Sequence, residues 1–97
     1  MIGMMVKIYP KSGEEQPVEG QMKKFASTCV STEPGTLMYS LTRDQEGTMC
    51  TMEVYESADA LQAHAATPHH KENVSMLTPL VAKVEMNRFE IFHHPTR

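Results

Sequence analysis

The chain has 97 residues, with 9 Lys and Arg against 12 Asp and Glu, for a net charge of −3. That weak acidity, with no basic cluster beyond Lys23–Lys24, argues against nucleic acid, whose phosphates are bound by concentrated Lys and Arg. No apolar run approaches the ~20 residues of a membrane helix, and the first residues lack a basic signal-peptide segment, so the expectation is a soluble cytoplasmic protein, one domain over residues 1–97.

Residues 4 to 10, MMVKIYP, are rich in β-formers and are closed by Pro10 and the turn-like KSGEE. In QPVEGQMKKFASTCVST, Val18, Met22, Phe25, Ala26, Cys29 and Val30 recur at three- and four-residue steps, which predicts an amphipathic helix. Pro17 suits its first turn, and Glu33-Pro34-Gly35 stops it. TLMYSLTRD then alternates, with Leu37, Tyr39 and Leu41 on one face and Met38 and Ser40 on the other. The turn DQEG leads into a second alternating run, TMCTMEVYE, so the two runs should pair as a hairpin. Cys29 in a helical pattern and Cys50 in a strand pattern form no disulfide framework and read as two reduced thiols packed as small hydrophobes.

Ser57 is the expected N-cap of a helix running to about Ala66, with Asp59 in the first turn complementing the dipole. Thr67 and Pro68 should open a second helical piece through Val74 and Leu77, ended or kinked by Pro79. KVEMNRFEIFHHP alternates again as a last strand.

The order β-α-β-β-α-β predicts an α+β, ferredoxin-like fold: a four-stranded antiparallel sheet with helices on one face. Both faces of the strands carry apolar residues: Cys50, Met52 and Val54 on one side of their strand, Met49 and Tyr55 on the other; Met86 and Phe92 oppose Phe89 and Ile91. Two helices cover only one side of a sheet. A second copy on the other side, as a homodimer, is the simplest cover.

Three of the five histidines, His64, His69 and His70, fall in ESADALQAHAATPHHKEN. Helical residues rotate by about 100° each, so Leu61, His64 and Ala65 share a face, and His64 points where the leucine must, toward the sheet. His70 aligns with Val74 and Leu77, and His69 with Asn73 and Met76. His64 and His69 are five residues apart across a proline, which is not the spacing of zinc ligands on one helix, and no metal is expected. Glu53 and Tyr55 share a face of the strand that feeds this helix. If that face is the helical one, a carboxylate and a phenol lie beside an imidazole, a set able to orient or deprotonate a phenolic or enolisable compound.

EPGTLMYSLTRD followed by MEVYESADALQAHAATPHHKENVSMLTPLV resembles the antibiotic biosynthesis monooxygenase family, with Glu53, Tyr55, Ala60, Leu61, His64, Pro68 and His69 in register over nearly the whole chain. The resemblance implies a dimeric α+β barrel with a pocket between helices and sheet in each subunit. It also implies an enzyme that oxygenates a phenolic, quinol or polyketide-like aromatic substrate with molecular oxygen and no cofactor. In that role His64 and Glu53 are the catalytic candidates, and Tyr55, Phe25, Met38, Leu61 and, at the rim, His69 the substrate-binding ones. A haem-degrading branch relies on a pocket Asn, Trp and His; this chain has no Trp, and Val74 lies near where that histidine would stand. A third branch isomerises a phosphorylated autoinducer-2 derivative, and His64-x-x-Thr67-Pro68-His69 resembles it too. There the amides after Thr67, with Lys71, would cradle a phosphate. A non-catalytic binding module of the same fold is the remaining alternative, to which nine methionines lend an adaptable surface.

Overall fold

The structure, a computed structural model, describes residues 1–97. Its elements are β1 (Ile2–Pro10), α1 (Glu15–Thr32), β2 (Thr36–Arg43), β3 (Met49–Tyr55), α2 (Ala58–Ala65), α3 (Pro68–Leu77) and β4 (Val81–Glu90). The strands make one antiparallel sheet in the order β2-β3-β1-β4 with the helices on one face, the ferredoxin-like arrangement.

Local chemistry explains the element ends. In the β2–β3 turn the Asp44 carboxylate accepts from the amides of Glu46 and Thr48, each at 2.9 Å, and Gly47 supplies the φ of 84° that closes it. Ser57 caps α2 by accepting from the Ala60 amide at 3.1 Å, and Thr67 caps α3 by accepting from His70 at 3.2 Å, with Pro68 in the first turn. The last strand is shorter than the alternating run suggested. Its ladder with β1 runs out at the Ile2–Glu90 pair, so His93 and His94 lie in an irregular segment and Phe92 is solvent-exposed.

Register sorts the side chains. Ile8 pairs with Met49 and Val84, and Met4 with Glu53, which in turn faces Tyr39 on β2. Period-2 alternation therefore puts Met49, Thr51, Glu53 and Tyr55 on the helical side, and Cys50, Met52 and Val54 on the open one. The helical side holds the core: Ile8, Val18, Met22, Phe25, Cys29 and Met49. Both cysteines are free and buried. Leu37 departs from the expected face, because the β2–β3 register shifts between Thr36 and Met38. Leu37 is the extra residue of that bulge and is exposed.

Helix α1 packs on β2 and against α3. The β1–β4 half of the sheet is left without close helical cover, and Val84 and Met86, which face that side, are 49% and 67% exposed. The space above it is the cavity described next.

Candidate active site between the helices and the sheet

A cavity of about 600 Å³ opens between the helical layer and the sheet. Its floor is Met4, Val6 and Ile8 of β1 with Thr51 and Glu53 of β3; its roof includes Phe25, Leu61, His64, His70 and Asn73. Most of the lining is apolar, so the few polar groups are what would orient a ligand.

His64 lies in the last turn of α2, on the face shared with Leu61, and only 5% of it is exposed. Aromatic rings surround the imidazole: Tyr55 at 5.0 Å between centroids, Phe25 at 5.7 Å and Tyr39 at 5.9 Å. Its Nδ1 is 2.8 Å from Glu33 Oε1. Glu33 is the residue after α1, and its amide closes that helix by donating to the Cys29 carbonyl at 3.0 Å. The Thr36 hydroxyl donates to the same carboxylate oxygen at 2.6 Å, and His69 Nε2 meets the other oxygen. Burial pushes the Glu33 carboxyl up, but the bonds from Thr36, His69 and His64 outweigh it and hold the group down at about 2. Glu33 is therefore an ionised carboxylate, almost fully buried, with no Lys or Arg against it.

On the floor, Glu53 accepts from the hydroxyls of Tyr55 and Thr51, each at 2.5 Å. Thr51 in turn accepts from the Val6 amide at 3.0 Å, which ties this carboxylate to the centre of the sheet. Burial, then the Glu53 charge, raises the Tyr55 and Tyr39 phenols, so both stay protonated and act as donors. The His70 ring lies 5.1 Å from that of His64, and burial, followed by His64, lowers its pKa below the ordinary range. It is neutral at pH 7.

The fold brings together His64, Glu53, Phe25 and Leu61 of the residues singled out from the sequence, all of them on the cavity wall. Tyr55 lies just behind the wall, fully buried, its hydroxyl on Glu53, and is not the open-face aromatic that its position also allowed. Met38 is corrected: it pairs with Val54 and faces the open side, because its parity is opposite to that of Tyr39. His69 does not stand at the cavity's rim; it turns toward Glu33, and His70, one step round the helix that restarts at Pro68, takes the place facing the cavity. Arg43 joins neither pocket nor open face and pairs with Glu19 of α1.

Glu33, His70 and Asn73 were missed. Glu33 was visible as part of a helix stop and as the first residue of the EPG turn that opens the family resemblance, with no chemical role attached. Asn73 accepts from the Gln21 amide at 3.0 Å and is buried against Met22. Sequence spacing offered no metal set, yet the fold gathers one group of donors: Cys29 Sγ, a Glu33 oxygen and a His64 nitrogen lie within 4.8 Å of one another. Burial, with Glu33 next in effect, pushes the Cys29 thiol up, so it stays protonated, and the Glu33–His64 contact is a hydrogen bond.

Comparison with known proteins gives a consistent picture. A family model described as antibiotic biosynthesis monooxygenase matches residues 1–75. A structure from Caulobacter crescentus, provisionally named as such a monooxygenase, superposes with a TM-score of 0.89 at 26% identity, covering 95% of this chain and 90% of that one. Rv0793 from Mycobacterium tuberculosis gives 0.88 at 16% identity, covering 98% of each chain. A protein from Deinococcus radiodurans, with the same provisional name, gives 0.88 at 17% identity over 100% of this chain and 98% of that one. No curated relative matches the sequence.

Proposed function

Because the chain belongs to the antibiotic biosynthesis monooxygenase family, we propose that it oxygenates a phenolic, quinol or polyketide-like aromatic in the cavity, with molecular oxygen as co-substrate and no resident metal or flavin. What carries the reading is the placement of His64 in the roof and Glu53 in the floor of one apolar cavity. Two acceptors facing a mostly apolar volume suit a flat compound with hydroxyl donors.

His64 takes the proton of a substrate hydroxyl, and Glu53 accepts from a second hydroxyl and fixes the ring. The resulting phenolate is electron-rich enough to pass an electron to oxygen. Recombination forms a carbon–oxygen bond as a peroxide. Cleavage of the O–O bond with loss of the ring C–H proton leaves a quinone and one water. Both oxygen atoms are accounted for, and the two protons lost by the substrate end in that water. The protein supplies a base, alignment and a mostly apolar cavity.

His64 and Glu53 on facing walls also form an acid–base pair that an isomerase of hydroxy-carbonyl compounds could use. The phosphate cradle expected after Thr67 finds no support: the Thr67 hydroxyl occupies the His70 amide itself, and Lys71 is exposed and lines no part of the cavity.

The test is oxygen uptake with a panel of hydroquinones and polyphenols, with and without chelator. His64→Ala should lower the rate ~10²-fold or more, the usual range for a general base. Uptake at full rate in that variant removes His64 from the mechanism. Turnover under argon, with solvent deuterium entering the product, decides for the isomerase, and saturable binding without turnover decides for a binding module.

We further propose that the open sheet face, where Met52 and Phe89 are 42% and 46% exposed, packs against a second copy in a homodimer.

A further inference from the structure

We propose that Glu33 sets the tautomer and direction of the His64 ring, and that His69 locks the Glu33 carboxylate from the side away from the cavity. The inference rests on His64 being the base of the proposed reaction, and it adds two positioning residues that touch no substrate.

Donor and acceptor counting carries it. An ionised carboxylate can only accept, so each imidazole nitrogen on Glu33 must carry a hydrogen. A neutral imidazole with its hydrogen on Nδ1 has a bare lone pair on Nε2. His64 lines the cavity whereas Glu33 does not, so the nitrogen left over is the one available to a ligand. The carboxylate thereby converts a ring that could serve as donor or acceptor into a fixed acceptor. Once the ring takes a proton, the same charge stabilises the imidazolium, as a buried carboxylate does for the histidine of serine hydrolases.

Glu33 itself has little freedom. Its backbone amide closes α1, the Thr36 hydroxyl holds Oε1, and His69 holds Oε2. The chain His69–Glu33–His64 thus joins the end of α1 to the end of α2 and the start of α3, across sequence separations of 31 and 36 residues. A structural tie alone would not require an ion: replacing buried charged clusters by well-packed apolar residues is often neutral or stabilising. Here the ion lies directly behind the one buried imidazole that faces the cavity.

The test reads the His64 tautomer by 15N NMR of histidine-labelled protein, with His64→Gln assigning the signals. Wild type should show the hydrogen on Nδ1. Glu33→Gln replaces a group that can only accept by an amide that can present either its oxygen or its NH2 to Nδ1, and the single Nδ1-protonated form should give way to a mixture with hydrogen on Nε2. Where a substrate has been found, the same variant should lower kcat by ~10²–10⁴-fold, change KM less than ~3-fold and alter the pH profile. His69→Gln keeps a donor to Oε2 and should leave the tautomer unchanged, whereas His69→Ala frees the carboxylate and should yield a mixture. If Glu33→Gln does not fold, the two His69 variants decide. An unchanged tautomer in both Glu33→Gln and His69→Ala overturns the proposal. A changed tautomer population in a protein where His64→Ala retains full turnover upholds the control of the ring and refutes His64 as the base.

Discussion

Gly35 shows how tightly α2 is set against the strand that begins beside Glu33. A methyl built on Gly35 would lie 2.5 Å from the Ala60 Cβ and 3.5 Å from its Cα, whereas carbon atoms rest at about 3.5–4.0 Å. The Gly35 carbonyl also accepts from the Glu56 amide at 2.9 Å, so the strand start cannot swing away without breaking that bond. Gly35 is not in the left-handed region, and Gly35→Ala therefore tests space alone. Overpacking of this kind costs about 1–3 kcal/mol, offset by roughly 0.4–1 kcal/mol from a less flexible unfolded chain. A net loss of about 1.5 kcal/mol should lower Tm by roughly 6–12 °C for a domain of this size. Ala60→Gly removes the opposing methyl and costs up to about 1 kcal/mol of helix propensity. Independent sites would make the double variant worse than either single one, by about 2.5 kcal/mol in all. The geometry requires the reverse: the methyl of Gly35→Ala enters the space vacated by Ala60→Gly, and the double variant should recover at least ~1 kcal/mol of that sum. Urea unfolding of the four proteins at constant m-value measures the cycle. A coupling energy within ~0.5 kcal/mol of zero would refute the contact and, with it, the idea that Gly35 seats α2 close enough for His64 to reach Glu33.

Acid stability should carry the mark of the same carboxylate. The folded Glu33 group, at about 2, lies below its ordinary 4.5, so its contribution is complete above pH 4.5 and is lost as pH falls from there through 2. The full amount is on the order of 3 kcal/mol for this nearly buried side chain. Glu33→Gln should flatten that limb of the stability–pH curve, and an unchanged slope between pH 4.5 and 2 would count against an ionised Glu33. On the open sheet face, Met52→Glu should convert a homodimer to monomer by sedimentation while leaving the circular dichroism spectrum intact, since its side chain is away from the core. A wild-type protein that sediments as a monomer at micromolar concentration would remove the proposed dimer.

Element order, the two side-chain caps at Ser57 and Thr67 and the inward aim of His64 were legible in the sequence, because each is written within a few neighbouring residues. A cap needs an acceptor three positions from an amide, and an amphipathic helix needs only its repeat. The parity of β3 likewise placed Glu53 and Tyr55 together, although it left open which face they shared. That choice belongs to the sheet, where the pairing of Met4 with Glu53 and of Tyr39 with Glu53 turns the carboxylate toward the helices. The family resemblance, rather than the local pattern, misled at Met38 and His69. A substrate wall was assigned to Met38 against its own alternation, and His69 was placed at the rim although His70 is the one that shares a helix face with Val74 and Leu77 of the cavity wall. Glu33 is the clearest case of what tertiary structure alone decides. In the chain it is the first residue of a turn. Its histidine partners, 31 and 36 positions away, meet it only after α2 has docked on the sheet and α3 on α1, and no short-range repeat can encode a hydrogen bond made across that distance.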